Sequence, residues 1–251
     1  VHVLEPLHET YGIDISDKAI RAAIRDHNEI SRVMTEIGNL RKAANPVITG
    51  YEFHVIQLCT QTCPKDLILP YLRETLQELR TREPDPKPGY RARVLIAGSE
   101  IDDPEFTKMC EMAGGLVVAD RYCFGSMPGR EEIPLEEGKD VLQSIADYYM
   151  WRNQCPRAMG PENIIARKRY IFDLAEKYHA DGIIVENMKF CEYWGYERAL
   201  ASHVVTREFG IPSVAVDRQN ATGGSGQLRT RVQAFVESLE IKQLQTQRGG
   251  K

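Results

Sequence analysis

Two of the six cysteines in this chain of 251 residues stand where α/β proteins do their chemistry. Cys191 follows Gly182-Ile183-Ile184-Val185, a short apolar run of buried-strand type, and is expected in a loop with Tyr193, Trp194 and Tyr196. Cys123 closes another such run in LVVADRYCFGS. Ligands of open parallel sheets sit in crevices outside the carboxyl ends of the strands, so both thiols are expected at one sheet edge. A cysteine near a strand end is ordinarily a small buried hydrophobe. Two at the same edge turn the reading toward thiolate ligands for zinc or an iron–sulfur group. They form no CxxC knuckle, so one shared metal group requires two loops to converge.

The other candidates are weaker. Cys59 and Cys63, spaced i, i+4 on an expected helix, can share a face, but one pair lacks the further ligands of a structural zinc. Cys110 falls on the apolar face of a helix and reads as core, whereas Cys155, in Asn153-Gln-Cys-Pro-Arg157, is ambiguous. The stretch 222–231, TGGSGQLRTR, leads into a helix start whose free N–H groups suit an anion. Ser225, Gly226, Gln227 and Arg229 are therefore candidate substrate contacts, with Arg231 adding charge and Arg157 a further candidate. The stretch is neither a Walker A sequence nor a Rossmann fingerprint, and a flexible turn explains it equally. None of the six histidines pairs with a nearby Ser or Cys in a nucleophilic arrangement. Glu186 and Glu192 are notable by position only, either orienting a substrate or solvated.

These residues need elements to hold them. Positions 1–82 read as helices: Ser16 is an N-cap, Ile20, Ile24, His27, Ile30, Met34 and Ile37 make an amphipathic stripe, and Thr49-Gly-Tyr-Glu52 is a capping box. A third helix begins near Lys65, with a bend expected at Pro70. Positions 83–91, with Pro84, Pro86 and Pro88, read as a linker. From 92 to 242 strands at Val94, Leu116, Ile183 and Val214 alternate with helices, including one at 142–151 and one at 162–178. That alternation implies a doubly wound parallel sheet, an α/β fold of flavodoxin-like type behind a helical segment. Positions 243–251 read as a frayed polar tail.

Composition limits the function classes. With 42% hydrophobic and 27% charged residues the chain is ordinary globular material, and a net charge of −4 gives no reason to expect nucleic acid or an anionic membrane. No apolar run approaches the roughly 20 residues of a membrane span. Six cysteines in a chain this long do not make a secreted disulfide scaffold, so reduced cytoplasmic thiols are expected. The chain begins at Val1 rather than Met, which suggests a piece of a longer protein.

Several segments together resemble a known family. IAGSEIDDPEFTKMCEMAGGLVVADRYCFGS, NQCPRAM, ADGIIVENMKFCEYWGYE and GQLRTRVQAFVESL, behind YGIDISDKAIRAAIRDHNEISRVMTEIGNLRKA and PVITGYE, are similar to subunits of 2-hydroxyacyl-CoA dehydratases and the related benzoyl-CoA reductases. The resemblance covers nearly the whole chain, with the pieces in order. It implies a 4Fe–4S cluster with Cys123 and Cys191 among its ligands, and a heterodimer of two similar subunits. It also implies an ATP-dependent iron–sulfur activator that delivers one low-potential electron. That electron would reduce the thioester carbonyl of a 2-hydroxyacyl-CoA to a ketyl radical, which expels the hydroxyl group. Family subunits carry a further N-terminal domain with another cysteine ligand, which has no match here, so a C-terminal portion of a subunit is expected. The alternatives are a benzoyl-CoA-type reductase subunit and a non-catalytic scaffold subunit. A flavin- or nucleotide-binding module is disfavoured because Gly98-Ser99-Glu100 leads into Asp102-Asp103, whose charge opposes a phosphate.

Overall fold

The computed structural model describes residues 2–84, 89–127, 131–152, 155–158, 160–219 and 225–249. The amino-terminal part is helical: α1 (Leu4–Tyr11), α2 (Asp17–Asn39), a 3-10 turn (Leu40–Lys42), α3 (Gly50–Thr62) and α4 (Lys65–Thr81). The starts are set locally. The Ser16 hydroxyl accepts from the Ala19 N–H, and Thr49 and Glu52 complete a reciprocal capping box. Cys63 caps the end of α3, directly before Pro64. The stripe on α2 meets α3 and α4 in a core that includes Met34, Ile37, Phe53, Leu72 and Leu76.

The second part carries β1 (Ala92–Ala97), α5 (Pro104–Met112), β2 (Gly115–Arg121), α6 (Val141–Asp147) and a π turn (Tyr148–Arg152). It continues through α7 (Pro161–Lys177), β3 (Gly182–Met188), α8 (Glu192–Arg207), β4 (Ser213–Arg218) and α9 (Ser225–Gly249). The four strands are parallel in the order β2-β1-β3-β4. Both faces are covered, as parallel sheets require. Val94, Ile96 and Ile184 pack on one side against Phe106 and Cys110 of α5 and Val232 and Val236 of α9. Leu95, Ala97, Ile183 and Val185 pack on the other against Ile171 and Leu174 of α7. Strand order reverses direction between β1 and β3, the switch point at which such sheets open a crevice.

The helical part is joined to the sheet by buried polar contacts. Arg41 and Asp120, each 1% exposed, pair at 2.7 Å. Glu111 of α5 accepts from the Gly50 N–H at 2.8 Å and from Tyr51, satisfying free N–H groups at the start of α3. His54 is fully buried between the Thr107 hydroxyl and the Ile101 carbonyl, each 3.0 Å away. The carbonyl can only accept, so Nε2 carries the proton.

Two histidines, His27 and His54, make the fold pH-sensitive because burial pulls both imidazoles down, and His27 is the one whose shift is large. Burial, aided by the Lys65 charge, pulls the His27 imidazole down from 6.5 to about 4. Between those values the unfolded chain binds the extra proton, so this contribution is complete above pH 6.5 and disappears as pH falls toward 4. Discounted for partial exposure, about 1–2 kcal/mol is expected to vanish over that window. Thermal melts at pH 7, 5.5 and 4 should show a flatter profile for His27→Gln, and an unchanged slope would assign the effect elsewhere.

Candidate functional site

Cys123 lies on the turn after β2, with its N–H bonded to the Ser99 carbonyl at 2.9 Å. Cys191 follows the end of β3, its N–H bonded to the Met188 carbonyl at 3.0 Å. The expected loop beyond it is helix: α8 starts at Glu192, so Tyr193, Trp194 and Tyr196 lie on its first turns. The Cys191 carbonyl accepts the Gly195 N–H at 2.9 Å, which places the thiol at the positive end of a helix. Phe190, just before it, holds a left-handed φ of 74° and is 99% exposed. A non-glycine residue in that region costs about 1–2 kcal/mol, strain that typically collects near functional groups.

The third thiol at this edge is Cys155, on the turn closed by the Ala158 N–H to the Cys155 carbonyl at 3.1 Å. Burial pushes the Cys123 thiol up to about 12, and the neighbouring Cys155 and Cys191 thiols add to the rise. The Trp194 indole N–H faces the Cys123 sulfur and offsets part of it. That contact is too long or bent for an ordinary hydrogen bond, and no oxygen or nitrogen takes the indole proton among the described residues. A thiol at about 12 is a poor nucleophile at neutral pH; its proton is displaced when a metal binds. Among the described residues no three His, Cys, Asp or Glu side chains cluster tightly enough to hold a single ion.

Buried charge underlies the thiols. Arg121, at the end of β2 and 0% exposed, lies 4.0 Å from Glu197 of α8 and 5.1 Å over the Trp194 ring. Burial lowers the Arg121 guanidinium to about 10, with Glu197 opposing and Arg167 reinforcing the drop. Arg167 of α7 meets both Glu197 oxygens at 3.3 Å and donates to the Ala158 carbonyl at 2.5 Å. This network therefore spans the Cys123 strand, the Cys155 turn and the Cys191 helix. Its charged members among the described residues are Arg121, Arg167 and Glu197, all buried beside the thiols.

Glu186 is not solvated. It is fully buried on β3, where it accepts from Ser99 N–H and Oγ–H at 2.9 Å each and from Arg218 Nε at 3.1 Å. Burial raises its carboxyl, while Ser99 and Arg218 oppose the rise. The donors after β1 are thus consumed by a carboxylate where a nucleotide phosphate would need them. Glu192 is exposed.

The remaining candidates are dispersed. Cys110 is core and burial drives its thiol far up; Cys59 is half-buried and Cys63 exposed on α3 and its cap. Gly226, Gln227, Arg229 and Arg231 are exposed on the first turns of α9. Residues 222–224 and the Ser225 side chain lie outside the described residues, as do 85–88 of the expected linker. Arg157 stands 5.4 Å over the Tyr193 ring, beside Cys155 and the α8 start. Arg121, Arg167, Glu197, Ser99 and Arg218 were not singled out from sequence. The available signal was a charge ending a buried strand, as in VADR, IVEN and VAVDR, where the side chain must be paired.

The parallel order β2-β1-β3-β4, with its switch point between β1 and β3 and helices on both faces, defines a flavodoxin-like α/β protein. The family model described as 2-hydroxyglutaryl-CoA dehydratase, D-component, matches residues 2–239, and the chain belongs to that family. It is 27% identical over 236 residues to the (R)-phenyllactyl-CoA dehydratase beta subunit of Clostridium sporogenes, covering 94% of this chain and 61% of that protein. It is 25% identical over 239 residues to the (R)-2-hydroxyglutaryl-CoA dehydratase subunit beta of Acidaminococcus fermentans, covering 93% and 61%. With a benzoyl-CoA reductase subunit from Thauera aromatica the identity is 20% over 239 residues, covering 94% and 61%. The chain thus spans about 61% of the length of these relatives. No helix of the described residues is long and apolar enough to cross a membrane.

Proposed function

We propose that this chain is part of a subunit of a cytoplasmic 2-hydroxyacyl-CoA dehydratase and holds a 4Fe–4S cluster at the β1/β3 crevice through Cys123 and Cys191. The observation that carries the reading is the meeting of these thiols, with Cys155, at one sheet edge over the buried Arg121–Glu197–Arg167 network. When bound, the cluster would supply low-potential one-electron transfer and Lewis acidity. The protein's own groups hold and tune it: Trp194 directs its N–H at the Cys123 sulfur, and Arg121 and Arg167 balance the negative charge that thiolates bring. The reading includes a second homologous subunit and an ATP-dependent activator as partners, with an acyl-CoA as substrate. Arg157, beside the thiols, is the nearest candidate cation for an anionic substrate group; Ser225, Gly226, Gln227 and Arg229 are the more distant set.

The relative named as a benzoyl-CoA reductase subunit favours a second reading, reduction of an aryl thioester, which product analysis with hydroxyacyl and aromatic thioesters separates. The direct test is anaerobic reconstitution followed by iron and sulfide analysis and electron paramagnetic resonance, on the chain and on Cys191→Ser. A reducible 4Fe–4S signal in the first that is absent in the second is the expected result. A chain extended to the relatives' full length that still binds no iron would overturn the cluster reading.

A further inference from the structure

Ser99 occupies a position that the proposed function does not use. It is fully buried on the turn after β1 and makes contacts in two directions. Its backbone carbonyl accepts the N–H of Cys123 at 2.9 Å. Its hydroxyl oxygen accepts the N–H of Met188 at 2.7 Å, and the Met188 carbonyl in turn accepts the N–H of Cys191 at 3.0 Å. One residue therefore touches both cysteine-bearing turns, which come from different strands. Ser99 is itself held, because its N–H and its hydroxyl proton both go to Glu186 Oε2 at 2.9 Å. The hydroxyl thus has one proton to give and a lone pair to accept with, and the structure uses both.

Glu186 is fixed in its turn. Its second oxygen takes Arg218 Nε at 3.1 Å, and Arg218, 2% exposed, also donates to the Glu100 carbonyl in the Ser99 turn. The Arg218 carbonyl accepts the Lys189 N–H at 2.8 Å, on the approach to Cys191. Packing is tight as well: a Cβ on Gly98 would come within 2.6 Å of Glu186 Oε2, so the carboxylate lies directly against the turn it anchors. Burying a carboxylate and a guanidinium costs more than most folds tolerate without reason, and apolar residues would close a parallel sheet at least as well. What the polar set adds is a fixed relation between two turns.

We propose that Ser99, anchored by Glu186 and Arg218, is a positioning residue that holds Cys123 and Cys191 at a set separation. The clasp is a property of the polypeptide alone; its purpose, keeping two ligands ready for one metal group, rests on the proposed function. An alanine at position 99 keeps the carbonyl contact to Cys123 but removes the side-chain tie to Met188, leaving the start of the Cys191 turn held from β4 alone, so Cys191 drifts relative to Cys123. A threonine keeps the hydroxyl and with it both contacts.

The test uses the full chain, metal-free and reduced, treated with a bifunctional organomercurial, whose two mercury atoms displace thiol protons and bridge sulfurs across a fixed span. Peptide mapping by mass spectrometry then gives the ratio of Cys123–Cys191 bridges to single-ended adducts. Ser99→Ala is expected to lower that ratio by about fivefold, the effect of one buried hydrogen bond, while single-ended labelling of each cysteine changes little. Ser99→Thr should restore the ratio to within about twofold of the parent. A folded Ser99→Ala chain with the parent ratio, or a Ser99→Thr chain that falls as far as Ser99→Ala, overturns the proposal. If Ser99→Ala does not fold, Glu186→Gln gives the reading, since it weakens the anchor without adding volume. A lowered ratio supports the clasp and an unchanged one overturns it. No iron is present in this assay, so failure of the chain to bind a cluster would sink the functional reading while leaving the clasp result standing.

Discussion

Replacing Arg41 with Ala is expected to destabilise the protein by about 3–5 kcal/mol, the range for removing one partner of a fully buried ion pair. Arg41 and Asp120 are each 1% exposed and 2.7 Å apart, and the guanidinium also stacks 3.7 Å over the Phe53 ring. Without Arg41 the Asp120 carboxylate stays buried at the end of β2 facing the apolar core of the helical part. It also accepts the Ser126 N–H at 2.6 Å, so the turn that carries Cys123 depends on the same group. Melting temperature should fall by roughly 6–20 °C for a domain of this size. Removing both charges while keeping an acceptor for the Ser126 N–H, Arg41→Met with Asp120→Asn, should recover much of the loss, because the penalty lies in a buried carboxylate left without its cation. Arg80→Ala provides the contrast. Its Glu36 partner and Arg80 itself are about half exposed, and such a pair contributes between about 0 and 1 kcal/mol. Equal losses for Arg41→Ala and Arg80→Ala would mean that the buried pair is not what joins the helices to the sheet.

The features legible in the sequence are those decided within a few residues. Ser16 and the Thr49–Glu52 box cap their helices because a helix start is satisfied by its own neighbours. The runs at Val94, Leu116 and Ile183 announce strands because both faces of a parallel sheet are apolar. Features fixed by residues far along the chain were not legible. The α8 start at Glu192 is one, since Tyr193, Trp194 and Gly195 are indifferent helix formers and Trp194 becomes helical by packing beneath Cys123. Glu186 is another: it reads as a solvated carboxylate until Ser99 and Arg218 are brought to it from two other strand ends. Cys155 remained ambiguous for the same reason, because Arg167 and Ala158 hold its turn beside thiols that lie far from it in sequence.

That convergence leads to the second large effect, a graded response of iron content across the six cysteines. Cys123→Ser and Cys191→Ser are expected to abolish iron binding in the reconstituted chain, since a hydroxyl replaces the soft thiolate that iron–sulfur clusters select. Cys155→Ser should lower iron content by at least about half, because Arg167 ties the Cys155 turn to Glu197 at the start of α8, beside Cys191, which places this thiol to supply a third ligand. Cys59→Ser and Cys63→Ser should leave iron at the parent level, since both lie on α3 and its cap rather than on a turn that follows a strand. Cys110→Ser separates stability from binding. Its sulfur is fully buried among Phe106, Val117 and Val236, so a hydroxyl there is expected to cost about 1–3 kcal/mol while iron per folded chain stays the same. Iron and sulfide analysis normalised to folded protein reads the whole series. Cys155→Ser at the parent level would leave Cys123 and Cys191 as the chain's only two ligands and return the Cys155 turn to a structural role. Loss of iron in Cys59→Ser or Cys63→Ser would move the cluster off the sheet edge altogether.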